Sequence, residues 1–242
     1  MQRFMQGHRL WPADSTGRKH RRWHLYWLPG PSIDDVYTAY ARAITDTPQI
    51  RGHLSVQPHD WRHATVGSIV DRPTWDIGQQ QLDDLHGRLR EEFAAVEPFA
   101  VEVGPVWVND VSVLLDIRPD DRFVSLQEIT ERVIADVVGT NAPYDWRSAG
   151  RPHLSVAYGT GPQHEDAPNV SPGLVASTMR QVTDEIAESV VYQLHALDVS
   201  QVEDRSWFDW SVLDVLPIGT ALPSSSQRTH RCGVTGQSLS AR

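Results

Sequence analysis

Apolar residues recur along the chain at two spacings, near 2 and near 3.6, and the switches between them mark out strands and helices. Residues 23–28 (WHLYWL) form an aromatic, apolar run closed by Pro29, Gly30 and Pro31, which predicts a strand ended by a turn. Ser32 then stands as a helix N-cap, with Asp34 and Asp35 in the first turn and Ile33, Val36, Tyr37, Tyr40 and Ile44 on one face. Past Pro48 come a short stretch at 53–57, a polar turn at Pro58 to Asp60, and the β-branched run HATVGSIV (63–70), which reads as strand. The pattern next predicts a helix over 79–96 and strands at Phe99 to Val103 and Val111 to Ile117, separated by turns at Gly104, Pro105, Asn109 and Asp110. A helix over 125–138, a strand over 152–158 (PHLSVAY), a helix over 173–187 and strands over 189–199 and 207–218 complete the reading, with disorder expected from Thr220.

Helices and strands recur in both halves without the strict alternation of a doubly wound sheet. The expected class is therefore α+β, with mostly antiparallel strands arranged as two similar lobes. The bounds that follow are a flexible basic segment at 1–22, carrying Arg18, Lys19, Arg21 and Arg22, a folded domain at 23–219, and a tail at 220–242.

Charge and cysteine usage narrow the partners. With 22 Lys plus Arg against 31 Asp plus Glu, net −9, the chain is unsuited to running along a nucleic-acid backbone, and a small or locally held anion is the better ligand class. The single cysteine, Cys232, permits neither an internal disulfide nor a cysteine-based zinc site, which fits a reducing cytoplasm. No run approaches the roughly 18 apolar residues of a membrane span, so no membrane partner is expected. A monomer is expected.

Three places fit His-x-Ser/Thr-Val: His53-Leu54-Ser55-Val56, His63-Ala64-Thr65-Val66 and His153-Leu154-Ser155-Val156. With 11 histidines, about one or two matches to the shorter pattern His-x-Ser/Thr arise by chance, and a lone match is more often a core imidazole than a catalyst. Strand periodicity adds the chemistry. Residues i and i+2 share a face, so His63 with Thr65, and His153 with Ser155, each present an imidazole beside a hydroxyl. Two such strands set about a pseudo-twofold would frame one phosphate. Neutral imidazole takes a proton, imidazolium gives one, and the hydroxyls hold the non-bridging oxygens, with both histidine pKa values expected to straddle about 6.5.

The stretches VQPHDWRHATV (56–66) and RPHLSVAYG (151–159) resemble the paired motifs of the two-histidine (2H) phosphoesterase superfamily, in particular bacterial 2′-5′ RNA ligase-like proteins. The likeness spans roughly residues 23 to 219. It implies two pseudo-symmetric lobes of antiparallel sheet with outer helices and a cleft between them. It also implies metal-independent and cofactor-free action on a nucleotide or RNA-end phosphodiester, a 2′,3′-cyclic phosphate or a 2′-5′ linkage. His63, Thr65, His153 and Ser155 are then the catalytic set, His53 a decoy, and Tyr26 and Tyr158 candidates for binding the substrate, with Trp61 a further ring able to stack. Ser155 departs from the usual Thr, which keeps the hydroxyl and loses a methyl that stiffens χ1.

Two other readings compete. A protein of this fold could bind a nucleotide or RNA end without turning it over. His59 and His63, four apart, mimic a zincin helix, but a strand here would carry them roughly 13 Å apart, too far for one ion.

Overall fold

The computed structural model describes residues 1, 16, 21–139, 151–160, 170–181, 186–202 and 207–219. In chain order the elements are β1 (Arg21–Trp27), α1 (Asp34–Asp46), β2 (Leu54–Val56), β3 (Ala64–Ser68), α2 (Gln79–Ala94), β4 (Phe99–Val108), β5 (Ser112–Arg118) and α3 (Asp120–Val138). There follow β6 (His153–Gly159), α4 (Pro172–Arg180), β7 (Ala187–Val191), β8 (Gln193–Val202) and β9 (Trp207–Pro217). The strands form two antiparallel sheets, β3-β1-β8-β9 and β2-β6-β5-β4-β7, so the expected α+β, bilobal class is what the chain adopts.

Helices α2 and α3 back the first sheet, and α1 and α4 back the second. Each lobe lends the other a helix. The chain leaves β1 of the first sheet into α1, which packs on β2 and β6, and leaves β5 of the second sheet into α3, which packs on β3. One apolar core runs through both lobes, from Trp23, Leu25 and Trp27 to Leu115, Leu154 and Val156. Helix α3 shows why its bounds fall where they do. Asp120 and Asp121 suit the positive N-terminal end, and Gly139 (φ 68°) closes the helix in the left-handed region, its N–H donating to Ala135 O at 3.2 Å.

Four predicted features differ. The helix expected over 173–187 ends at Arg180, and Ala187 already belongs to β7. Ser32 caps nothing; a turn of 3₁₀-helix at Pro31–Ile33 precedes α1. Gly104 and Pro105 are not a turn but a bulge inside β4, where three steps from Val103 to Val106 oppose two steps from Ile117 to Leu115. Gly104 takes φ 122°, which its missing Cβ allows, and the extra residue turns Trp107 to the face of its partner Leu114. The strand expected at 189–199 is two strands, β7 and β8, which part at Tyr192 and enter different sheets. The expected tail at 220–242 and most of the basic segment at 1–22 lie outside the described residues. Arg21 and Arg22 belong to β1, where Arg21 pairs with Asp198 at 2.7 Å.

Candidate functional site

The two motif strands carry the same irregularity. In β3, Thr65 faces Tyr26 and Gly67 faces Leu25, leaving Val66 as an extra residue; in β6, Ser155 faces Leu114 and Ala157 faces Val113, leaving Val156 extra. A bulge sends two consecutive side chains to one side, and here Val156 and Ala157 both join the core. The next residue then comes round to the histidine's face. Ser68 and Tyr158, each five places after a motif histidine, are brought there opposite His24 and Ser112. β2 pairs only with the far half of β6, and β3 from the other sheet also contacts β6.

His63 ends a tethered approach. Tyr37 Oη donates to Gln57 O at 2.9 Å, and the Arg62 guanidinium pairs with Asp34 at 2.5 Å, donates to His59 O at 2.7 Å and lies 5.2 Å from the Tyr37 ring centre. The imidazole is buried. It stacks on Tyr26, with centroids 4.1 Å apart and planes at 15°, and meets the edges of Trp210 at 5.4 Å and Phe208 at 6.3 Å. Its Nδ1 sits 2.9 Å from Trp61 O. A carbonyl only accepts, so Nδ1 carries the hydrogen and neutral His63 offers the lone pair of Nε2.

His153 opens β6 in the same way, its Nδ1–H donating to Arg151 O at 2.8 Å. The edge of Trp107 lies 6.0 Å away, and Asp116 stands directly across the ladder. Each hydroxyl follows its histidine by two residues, and neither Thr65 Oγ1 nor Ser155 Oγ has a hydrogen-bond partner among the described residues. Both pairs thus present an imidazole nitrogen and an uncommitted hydroxyl.

Burial lowers both imidazole pKa values, which corrects the expectation that they straddle 6.5. His63 falls to about 4, chiefly by desolvation; the Trp61 carbonyl pulls the other way, and the charge on His153 adds to the depression. His153 is also lowered by burial, with its bond to Arg151 and the Asp116 carboxylate opposing the shift. The charge on His153 is therefore felt at His63, across the contact of β3 with β6.

The other candidates sort by position. Tyr26 is at the site, but its ring face is taken by His63. Tyr158 shares the face of His153 and is almost fully buried. Trp61, partly exposed, packs against Trp210 with centroids 4.3 Å apart. His53 precedes β2 at the far end of β6, where its carbonyl accepts from Thr160 N, about 23 Å of strand away from His153. His59 turns its Nε2 to Asp34 at 3.2 Å and does not converge with His63. Residues that sequence reasoning passed over are Asp116, Trp107, Arg151, Phe208 and Trp210. Of these, Asp116 left a signal, as an acid inside the apolar run VSVLLDI.

No family model and no curated protein matches the chain's sequence. Solved structures do match. TT0787 of Thermus thermophilus superposes with a TM-score of 0.59 at 17% identity over 83% of this chain and 100% of that one. E. coli LigT complexed with phosphate gives 0.53 at 12%, over 84% and 99%. The chain has the LigT fold. A structure described as a phosphoesterase agrees, with a TM-score of 0.52 at 11% identity over 83% and 99%. The bilobal fold that the sequence resemblance implies is thus the one shared with these structures, and in this chain it sets β3 against β6.

Proposed function

We propose that the protein is a metal-independent phosphodiesterase acting on a nucleotide or RNA-end phosphodiester, a 2′,3′-cyclic phosphate or a 2′-5′ linkage, through His63 and His153. The observation that carries this reading is the duplicated geometry. Two imidazoles, at the start of two contacting strands from opposite sheets, each commit Nδ1 to a backbone carbonyl two residues back, each beside a hydroxyl with no partner among the described residues. A phosphate between them would receive two Nε2 atoms for proton transfer, and the hydroxyls of Thr65 and Ser155 on its non-bridging oxygens.

E. coli LigT, which shares the fold, has been solved with phosphate, with 3′-AMP, with ATP and with NADP+, consistent with a nucleotide-sized anion as substrate. The partly exposed rings of Trp61, Phe208 and Trp210 beside His63 offer a base a stacking surface. No helix among the described residues is long and apolar enough to cross a membrane. A small substrate in the cytoplasm, met by a monomer, completes the proposal.

The test is turnover of a panel of 2′,3′-cyclic nucleotides, 2′-5′ oligonucleotides, cyclic dinucleotides and ADP-ribose cyclic phosphate, with and without EDTA. Hydrolysis of at least one, unchanged by chelator, is expected. Loss of turnover in EDTA restored by zinc or manganese would replace the paired-histidine mechanism, and binding without turnover would make the protein a carrier or sensor of the same ligand.

A further inference from the structure

The two histidines are held so alike that their immediate contacts do not say which gives the proton and which takes it. Asp116 breaks the symmetry. Its side chain, 2% exposed, stands on the cleft face of β5 directly across from His153. Oδ2 accepts from Arg118 Nε at 2.7 Å; Oδ1 lies 3.1 Å from Arg151 Nε, outside hydrogen-bond geometry, and is buried without a hydrogen-bond partner among the described residues. Arg151 links the two groups, because its guanidinium faces the carboxylate while its carbonyl receives His153 Nδ1–H.

Nothing in the architecture requires an acid there. One step beyond Trp27, paired with Ala64 in the first lobe, the same register reaches Leu28, an apolar residue packed beside Tyr26. A buried carboxylate is costly unless a charge answers it. Arg118 and Arg151 answer it from partly exposed positions, and a proton on His153 would answer it from within the cleft.

We propose that Asp116 is the positioning residue that commits His153 to the protonated, donating role and leaves His63 as the proton acceptor. The proposal rests on the paired-histidine reading above. In the step it describes, His63 Nε2 takes a proton from water as the water oxygen bonds to phosphorus. The bond from phosphorus to the leaving oxygen breaks, its electron pair stays on that oxygen, and His153 Nε2–H supplies the proton. Solvent then removes the proton from His63 and restores the one on His153. The groups around His153 are Asp116 and Arg118 from β5, Arg151 from its own approach, the Trp107 ring from β4 and His63 from the approach to β3. Asp116 favours the charged form of His153, and that charge in turn helps to keep His63 neutral among its aromatic neighbours.

Two measurements test the division of roles. The first is NMR titration of the His153 ring in D116N and R118Q, with folding checked from the amide spectrum. D116N should lower the midpoint by roughly one pH unit, while R118Q, which frees the carboxylate from a competing cation at a 49% exposed position, should raise it. Should D116N not fold, R118Q carries the test, and a midpoint that it leaves in place overturns the proposal. The second compares a 2′,3′-cyclic nucleotide with a p-nitrophenyl phosphodiester, whose leaving group needs no proton. With the p-nitrophenyl ester the loss caused by H153A should shrink at least 10-fold, the smaller loss caused by D116N should largely vanish, and the loss caused by H63A should persist. Rescue of H63A instead reverses the roles and overturns the proposal alone, whereas H63A and H153A that both retain full turnover of either substrate would sink the paired-histidine reading itself.

Discussion

At the scale of single residues, the decisive choice lies among three histidines with the same local motif. His63 feels the charge on His153, while His53 sits at the opposite end of β6. His63→Ala and His153→Ala should each lower kcat/KM by roughly 10²-fold to 10⁴-fold, the usual worth of a positioned acid or base, and His53→Ala should leave it within about twofold. Steady-state kinetics on the substrate found in the panel, with circular dichroism as a folding control, decides this. A His53→Ala loss as large as the other two would assign the site to the wrong strand. Tyr26 belongs at this scale too. Its ring was a candidate to stack on substrate, yet its face is spent on His63, a contact between residues 37 positions apart in sequence that no local pattern announces.

Among the elements, the paired bulges give the sharpest prediction. Bulges at Val66 and Val156 put Gly67 and Ala157 at matching places in the two lobes, but only the second has room for a Cβ. A Cβ on Gly67 would lie 2.5 Å from Thr130 Cγ2 on α3. Gly67→Ala should therefore destabilise the fold by about 1–3 kcal/mol, the usual range for overpacking a tight interior. Thr130→Ser removes the clashing methyl and keeps the hydroxyl that donates to Leu126 O, so the double variant should recover most of that loss in urea unfolding. An additive double variant would show that the helix does not press on the strand. The alternation of polar and apolar residues made β3 and β6 legible as strands, but one extra residue in a ladder leaves no periodic trace. That is also why Gly104 and Pro105 read as a turn and why Trp107 was not seen to reach His153.

Across the whole molecule, buried histidines make stability depend on pH. Burial drives the pKa of His24 down to about 3 and that of His63 to about 4, while the unfolded chain titrates near 6.5. Folded pKa values below the unfolded ones mean that the unfolded state binds the protons first. The stability these groups allow is complete above about pH 6.5 and is lost as pH falls through the window down to about 4 and 3. Each such histidine can contribute up to about 1.4 kcal/mol per pH unit inside its window. Urea midpoints at pH 7.5 and 5.0 should fall accordingly, and His24→Leu should flatten the difference. Equal midpoints at the two pH values would contradict the burial of these imidazoles.

Near neighbours along the chain decide whatever can be read without a structure. Side chains two apart in a strand share a face, and that was enough to join His63 to Thr65 and His153 to Ser155. Alternating apolar residues likewise marked most strands, the helical period marked the helices, and their mixed order gave the α+β class. What required the tertiary structure depends on partners distant in sequence. The apolar run Val190, Val191 and Tyr192 leads straight into Gln193 and Leu194 with no turn residue between, so only strand pairing shows that β7 and β8 part there into different sheets. Imidazole pKa values follow from how much protein surrounds each ring, which pulled both below the range that their intrinsic chemistry suggested. The neighbourhood of Asp116 and His153 comes from the register of β5 on β6, set by packing across the whole sheet rather than by any spacing along the chain.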